Sequence, residues 1–426
     1  MRNQGHPSAS WYAATAAAAP SSPPLDGDAR ADVCVIGAGY TGLGAALELA
    51  SRGVRVVVLE AAVVGSGGSG RNGGQIHTGQ RREQPWLEAR LGLDDARALW
   101  TLAEDARAHL HQLIAAHRID CDLRGGLIHA RHRPGGEAGD VAFIDHMRKV
   151  YGCERYEPLD DAALALALGT DVYHGGLIDH GGGHLHPLNL ALGLARAALA
   201  AGAVIHEETR ATGWRRAAGG LVVDTPRGQV TCDQLILTGD GHIAGLSPVI
   251  DARVMPINNF IAVTEPLGET SILTDDQAVA DSRFVINYFR KTADGRLLFG
   301  GGENYAPWFP SDIAAFVRRH MLKVYPGLAG AAITHAWGGT LGVTMNRLPY
   351  VRELEPGVRV AAGYSGQGVM LAPYVGALLG RASLGDAAGV DLLARLPCPP
   401  FPGGRLLRWP ALVAGMSWFA LRDRFG

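Results

Sequence analysis

Apolar positions along this chain follow two rhythms. Short, nearly unbroken apolar runs at 33–36, 54–60, 235–238 and 358–362 have the length and the β-branched content of strands buried on both faces. Runs at 125–131, 204–207, 220–225, 257–264, 284–290 and 296–300 read as further strands. Longer stretches repeat apolar residues every three or four positions and predict helices at 43–51, 93–117, 143–151, 159–168, 187–201, 312–324 and 369–381. Pro187 suits a first helical turn, where its missing N–H costs nothing, and Ser311 is the expected cap of the helix at 312–324. The stretch 174–186 is dense in glycine and histidine and reads as a loop. Two strand–glycine–helix units stand far apart, one at 33–51 and one at 358–381. Helix N-termini from both ends of the chain are thereby available to one ligand.

The first unit carries Gly37-x-Gly39-x-x-Gly42, with Tyr40 and Thr41 opening the helix. Gly37 permits the tight turn, Gly39 lets backbone approach a pyrophosphate, and Gly42 lets helix lie close on sheet. Glu60 ends the second run, roughly 20 residues further on, where an acid accepts hydrogen bonds from a ribose. An acid there disfavours a 2′-phosphate, so FAD or NAD is preferred over NADP. A glycine-dense loop follows at 65–74, with Ser69, Gly70, Arg71, Asn72, Gly73 and Gly74. Its exposed N–H groups and the Arg71 charge suit an anion.

A length of 426 residues asks for two domains. The expected fold class is α/β: a Rossmann-like nucleotide domain assembled from distant segments, with an inserted β-rich (α+β) substrate domain. The division expected is an N-terminal surface arm at 1–30, a nucleotide part at 31–85 with 175–245 and 335–400, a substrate part at 86–174 with 246–334, and a tail helix at 401–426. The composition is 47% apolar and 19% charged, as in soluble enzymes, and the net charge of −2 gives no case for nucleic acid. Five dispersed cysteines suit a reducing cytoplasm, and no apolar run is long enough for a membrane span. Either a monomer or a small homo-oligomer is expected.

The motifs at 37–42, Glu60, 69–74, 337–349 and 363–368 resemble the D-amino acid oxidase superfamily of FAD enzymes. The segments 10–15, 182–187, 297–303 and 401–404 resemble its gamma-glutamylputrescine oxidase subgroup. The resemblance runs nearly end to end and implies FAD. It implies that Ala61, Gln75, Ala211, Thr238 and Gly239 also line the cofactor. It further implies that Gly366, Gln367, Gly368, Val369 and Met370 aim a helix N-terminus at the flavin's pyrimidine edge, where reduction places negative charge.

Departures from the superfamily point to the substrate. Its amino-acid oxidases often hold the substrate carboxylate with an Arg in the segment matching 337–349; here that position is Leu341. Positions that carry a flavin-linking Cys or His in some relatives are Gly339 and Asn72, so non-covalent FAD is expected. The leading expectation is oxidation of an amine C–N bond to an imine, then an aldehyde, in gamma-glutamylputrescine or a related polyamine derivative, with oxygen or another electron acceptor. Alternatives are an amino acid or N-methyl amino acid substrate, or a flavin-binding subunit without turnover. Tyr288 is the candidate substrate contact and Lys291 the candidate oxygen-activating cation. Glu303, Tyr305 and Trp308 are candidates for lining an amine pocket, because aromatic faces and a carboxylate suit a cation. His174, His180, His184 and His186 fit none of the common zinc spacings, and no metal is expected.

Overall fold

The computed structural model describes residues 10–243, 245–304 and 308–403. The apolar runs form a six-stranded sheet ordered Tyr350–Glu355, Val358–Ala362, Gln234–Leu237, Val33–Ile36, Val56–Leu59 and Val204–His206. All neighbours are parallel except the first pair. The central strands are buried on both faces, which explains their unbroken apolar character. The two glycine-led helices, Tyr40–Ala50 and Gly368–Ser383, lie against each other on one face of this sheet. Their approach depends on missing side chains: a Cβ on Gly376 would stand 2.1 Å from the Thr41 carbonyl oxygen, and one on Gly44 would stand 2.2 Å from that of Pro373.

A nine-stranded sheet runs from Ile333–Val343 through Met255–Pro266, Arg296–Asn304, Tyr288–Lys291, Ala278–Asp281, Arg124–Ala130 and Gly176–His184 to Gln75–Ile76, with Tyr156–Leu159 paired to Gly176–His184. Strand alternation gives it two unlike faces. Phe260, Phe289 and Phe299 pack beneath the helix Ile313–Val324. Ile261, Val263, Leu298 and Trp337 pack against Trp11 and Tyr12. A four-stranded sheet completes the fold.

Several sequence expectations change. The glycine-rich stretch at 174–186 is a strand, Gly176–His184, not a loop. Its glycines mark close backbone approach: a Cβ on Gly183 would stand 2.1 Å from the Arg124 oxygen, and one on Gly176 would stand 2.0 Å from that of His129. The arm expected at the surface carries a short helix, Trp11–Thr15, whose first two side chains are buried. Asp312, not Ser311, caps its helix, accepting from the Ala315 N–H. The helix expected from 159 begins at Asp161, since Leu159 ends a strand. The strand expected from 284 begins at Tyr288, because the preceding residues wrap the Asp281 carboxylate, which accepts from the Arg283 and Asn287 N–H groups. Strands Gly176–His184 and Ile333–Val343, expected in the nucleotide part, lie in the large sheet, while helix Leu93–Ala116, expected in the substrate part, packs in the nucleotide core. The tail at 404–426 lies outside the described residues.

Candidate functional site

The first glycine turn is held by its own sterics. Gly37 has φ +107°, a Cβ on Gly42 would stand 1.9 Å from the Gly37 oxygen, and one on Gly39 would stand 2.8 Å from Ser69 Oγ. No N-cap side chain satisfies the helix Tyr40–Ala50, nor the helix Gly368–Ser383. Ser69 Oγ instead accepts from the Tyr40 N–H at 3.0 Å, tying the 65–74 loop to the helix start. Thr41 Oγ1 meets Tyr364 Oη at 2.8 Å, joining the two glycine units. Glu60 accepts from the Ala38 and Ala62 N–H groups. Burial pushes its carboxyl up, and those two hydrogen bonds offset part of the rise. Ala61 beside it is exposed.

Asn72 braces the loop, donating to the Gly68 and Ser69 oxygens and accepting from the Gly74 N–H. Arg71 is clamped to the large sheet: its Nε donates to the Gly338 oxygen at 2.6 Å, and Trp337 Nε1 donates to the Arg71 oxygen at 3.1 Å. Yet Arg71 Nη2 is buried without a hydrogen-bond partner, and burial alone pushes the guanidinium downward. A buried guanidinium edge without an acceptor costs free energy unless an anion meets it. A pyrophosphate is such an anion. The uncapped helix starts, the Cβ-free turns and the orphaned Arg71 edge together fit a dinucleotide.

Asp240, which the sequence reading passed over, joins three segments. One carboxylate oxygen accepts from the Gly363 N–H and the other from the Gly342 N–H, each at 2.6 Å. It thereby fixes the strand carrying Leu341 against the second glycine turn. Leu341 Cδ1 lies 3.9 Å from where a Gly366 Cβ would stand, and a Gly339 Cβ would stand 3.3 Å from Arg71 Cβ. Gln367 donates to the Thr78 and Gly79 oxygens, while Val369 and Met370 are buried in the core behind the turn. Thr238 Oγ1 donates to the Ile36 oxygen, and Gly239 follows it. Ala211 packs at the edge of a separate cluster with Val57 and Leu59. Gln75 Nε2 is spent on the Val279 oxygen.

Alternation sorts the substrate candidates. Tyr288 shares a face with Trp337, Gly339, Leu341 and Asn259, and its Oη donates to Asn259 Oδ1. Its ring lies against Gly73, whose Cβ would stand 2.6 Å away. Lys291 stands on the opposite face with Phe289, where Asp276 feels its charge, so the two catalytic candidates do not converge. Trp308 is 66% exposed; Tyr305 and the side chain of Glu303 lie outside the described residues.

Arg290, also passed over, is 1% exposed and sits on the Tyr288 face. It donates to the oxygens of Gly73 and Leu185 and to Tyr12 Oη, at 2.9, 3.0 and 3.2 Å. His184 Nε2 donates to the Asp276 oxygen at 2.7 Å, leaving Nδ1 to face Arg290. His186 Nδ1 accepts from the Asn189 N–H, capping the helix Pro187–Ala200, so its Nε2–H donates to Thr15 Oγ1. Burial and Arg290 push His184 down to about 3 and His186 to about 4, so both are neutral. His174 and His180 turn instead toward Asp161 and Glu157. Among the described residues no three His, Cys, Asp or Glu side chains cluster as metal ligands. The adjacent Trp11-Tyr12 pair, in an Ala/Ser/Pro-rich stretch, was the sequence signal for this seam. Arg290 offered none.

Comparison with known proteins agrees with this geometry. The chain is 43% identical to "Probable oxidoreductase OrdL" of Rhizobium meliloti (strain 1021), over 98% of each chain. It is 37% identical to Gamma-glutamylputrescine oxidoreductase of Escherichia coli (strain K12), again over 98% of each. The fold matches glycine oxidase from Bacillus cereus ATCC 14579 with a TM-score of 0.72 at 20% identity, over 86% of this chain and 99% of that one. The model of the DAO family, FAD dependent oxidoreductase, matches residues 32–382. With its paired glycine turns and orphaned arginine, the chain belongs to that family, whose members use FAD.

Proposed function

We propose that this protein oxidises the C–N bond of an amine, and that the substrate is gamma-glutamylputrescine or a related acylated polyamine. The observation that carries the reading is Leu341. It stands against the Gly366 turn, where an α-amino carboxylate beside the flavin needs a cationic fork. An apolar side chain there suits a reacting carbon that bears nitrogen and no carboxylate. The name of the Escherichia coli relative supports the substrate class.

FAD, when bound, accepts the hydride equivalent from the carbon bearing nitrogen, and water hydrolyses the resulting imine to an aldehyde. The protein's task is to position and dry that carbon. Tyr288, its hydroxyl tethered to Asn259, offers a fixed ring face beside Gly73. Leu341, on the same face of the sheet, adds an apolar surface that excludes water. Asp240 holds the Leu341 strand in register with the second glycine turn. Gly339 and Asn72 leave the flavin without a covalent link, and Glu303, Tyr305 and Trp308 are proposed to line the approach. His184 and His186, neutral and engaged, serve structure and not proton transfer. Oxygen is the proposed acceptor. Five buried, reduced cysteines support a cytoplasmic setting.

Anaerobic mixing with a panel of amines and amino acids tests this reading. Gamma-glutamylputrescine should bleach the flavin, and glycine and sarcosine should not. If only amino acids bleach it, the amine reading is wrong; if nothing does, turnover itself is. Admitting air to the bleached sample tells oxidase from dehydrogenase. Leu341→Arg should not improve amine turnover.

A further inference from the structure

We propose that Arg82 and Arg347 form a carboxylate-binding site for the end of the substrate remote from the reacting carbon. This inference rests on the amine-oxidising reading and specifies its substrate class: an amine whose far end bears a carboxylate.

Arg82 Nε donates to the Asn346 oxygen at 2.9 Å, and its guanidinium lies over the Trp86 ring at 5.0 Å. Arg347, the next residue after Asn346, places its guanidinium over Phe284 at 4.7 Å. Its φ of +65° is a left-handed conformation that a non-glycine residue adopts only when its surroundings hold it there. Both side chains are half-buried. Among the described residues, neither has a carboxylate at ion-pair distance. Other half-buried arginines are satisfied in one of two ways: Arg155 and Arg381 pair with acids, and Arg253 and Arg352 each donate to two main-chain oxygens. Burial, then the charges of Arg347 and Arg90, hold the Arg82 guanidinium below its usual range. Two like charges held together without an acid are a site awaiting an anion.

The pair sits where the reaction-site segments meet. Arg347 follows Leu341 on the same segment, and Phe284 lies on the loop that leads into Tyr288. The neighbouring Arg81 donates to the Ser365 oxygen, beside Gly366. Gln367 donates to the Thr78 and Gly79 oxygens and ties that turn to the strand end preceding Arg81. So the cation missing at position 341 has counterparts in Arg347, further along the same segment, and in Arg82, bonded to the main chain beside it. A carboxylate beside the reacting carbon has no fork, whereas one at the far end has two. A gamma-glutamyl group carries its carboxylate at that far end.

The test compares gamma-glutamylputrescine and N-glutarylputrescine, which both carry the far carboxylate, the second without the α-ammonium, with N-acetylputrescine, which keeps the amide and the reacting amine but has neither group. Arg82→Met and Arg347→Met should each raise KM for the first two about tenfold, and the double variant about a hundredfold, with kcat little changed. KM for N-acetylputrescine should not move. Arg347→Lys should recover part of the loss. Equal shifts for all three substrates, or none for either carboxylate-bearing one, would overturn the proposal. Glutarate supplies a readout without turnover, through its perturbation of the flavin absorption spectrum. It should perturb the wild-type spectrum and lose about tenfold or more in affinity in the double variant; equal affinity for both proteins sinks the carboxylate site. If none of the amines bleaches the wild-type flavin while glutarate binding still depends on the arginines, the amine reading fails and the carboxylate site stands.

Discussion

The glycine cradle and the aromatic seam beneath Tyr288 hold adjacent parts of one site by opposite means. In the cradle, backbone does the holding. Gly37, Gly39 and Gly42 act through the side chains they lack, and what presses on them is the turn's own backbone, Ser69 and the distant Thr238. In the seam, side chains do it. Trp11, Tyr12, His186, Arg290 and Trp337 come from four distant stretches and meet ring to ring, with Tyr12 and Trp337 centroids 5.1 Å apart. A cradle of this kind is all-or-none toward its ligand, because a single Cβ closes it. A seam of interlocked side chains loses stability in increments.

Gly42→Val should draw that contrast most sharply. Its Cβ, placed 1.9 Å from the Gly37 oxygen, forces the helix away from the turn, and FAD binding should weaken about a hundredfold or more. The flavin-to-protein absorbance ratio of the purified variant checks this; a normal ratio breaks the account of the cradle. Trp11→Ala should lower unfolding stability by about 3–5 kcal/mol while leaving the flavin ratio near wild type at low temperature. Loss of flavin in a folded Trp11 variant would show that seam and cradle are one unit. Arg290→Met strands the oxygens of Gly73 and Leu185 and should cost about 3 kcal/mol, read by denaturant titration.

The most gradual effect is acid sensitivity. His184 and His186 stay neutral in the fold down to about 3 and about 4, whereas in the unfolded chain they protonate near the ordinary histidine value. Below about pH 6.5 the unfolded state therefore binds more protons, and stability falls as pH falls, by up to ~1.4 kcal/mol per unit for each histidine. For His186 that loss stops near its folded value. His186→Asn keeps a capping acceptor and should flatten the decline; an unchanged acid limb removes His186 from this account.

The same contrast decided what could be read from sequence. The cradle was legible because its chemistry is consecutive: strand, Gly37, helix and Glu60 follow one another, and the second unit repeats the order at 358–368. The seam was not. Arg290 looks like any strand arginine until the Gly73 and Leu185 oxygens converge on it, and Asp240 gains its role only when Gly342 and Gly363 arrive beside it. Glycine misled in the strand Gly176–His184. There, as in the cradle, its value is close approach and not flexibility, but the approaching backbone belongs to residues 124–130. The aromatic pair at 11 and 12 was visible, but its destination lies more than half the chain away.

That destination has a consequence for how the protein is made. Trp11 and Tyr12 are synthesised long before Trp337, the ring they seal against. During translation these two aromatics remain without their partner until almost the whole of the large sheet has emerged. The last step in closing the aromatic seam is therefore the capture of an early segment by a late one, once the strand carrying Trp337 has formed.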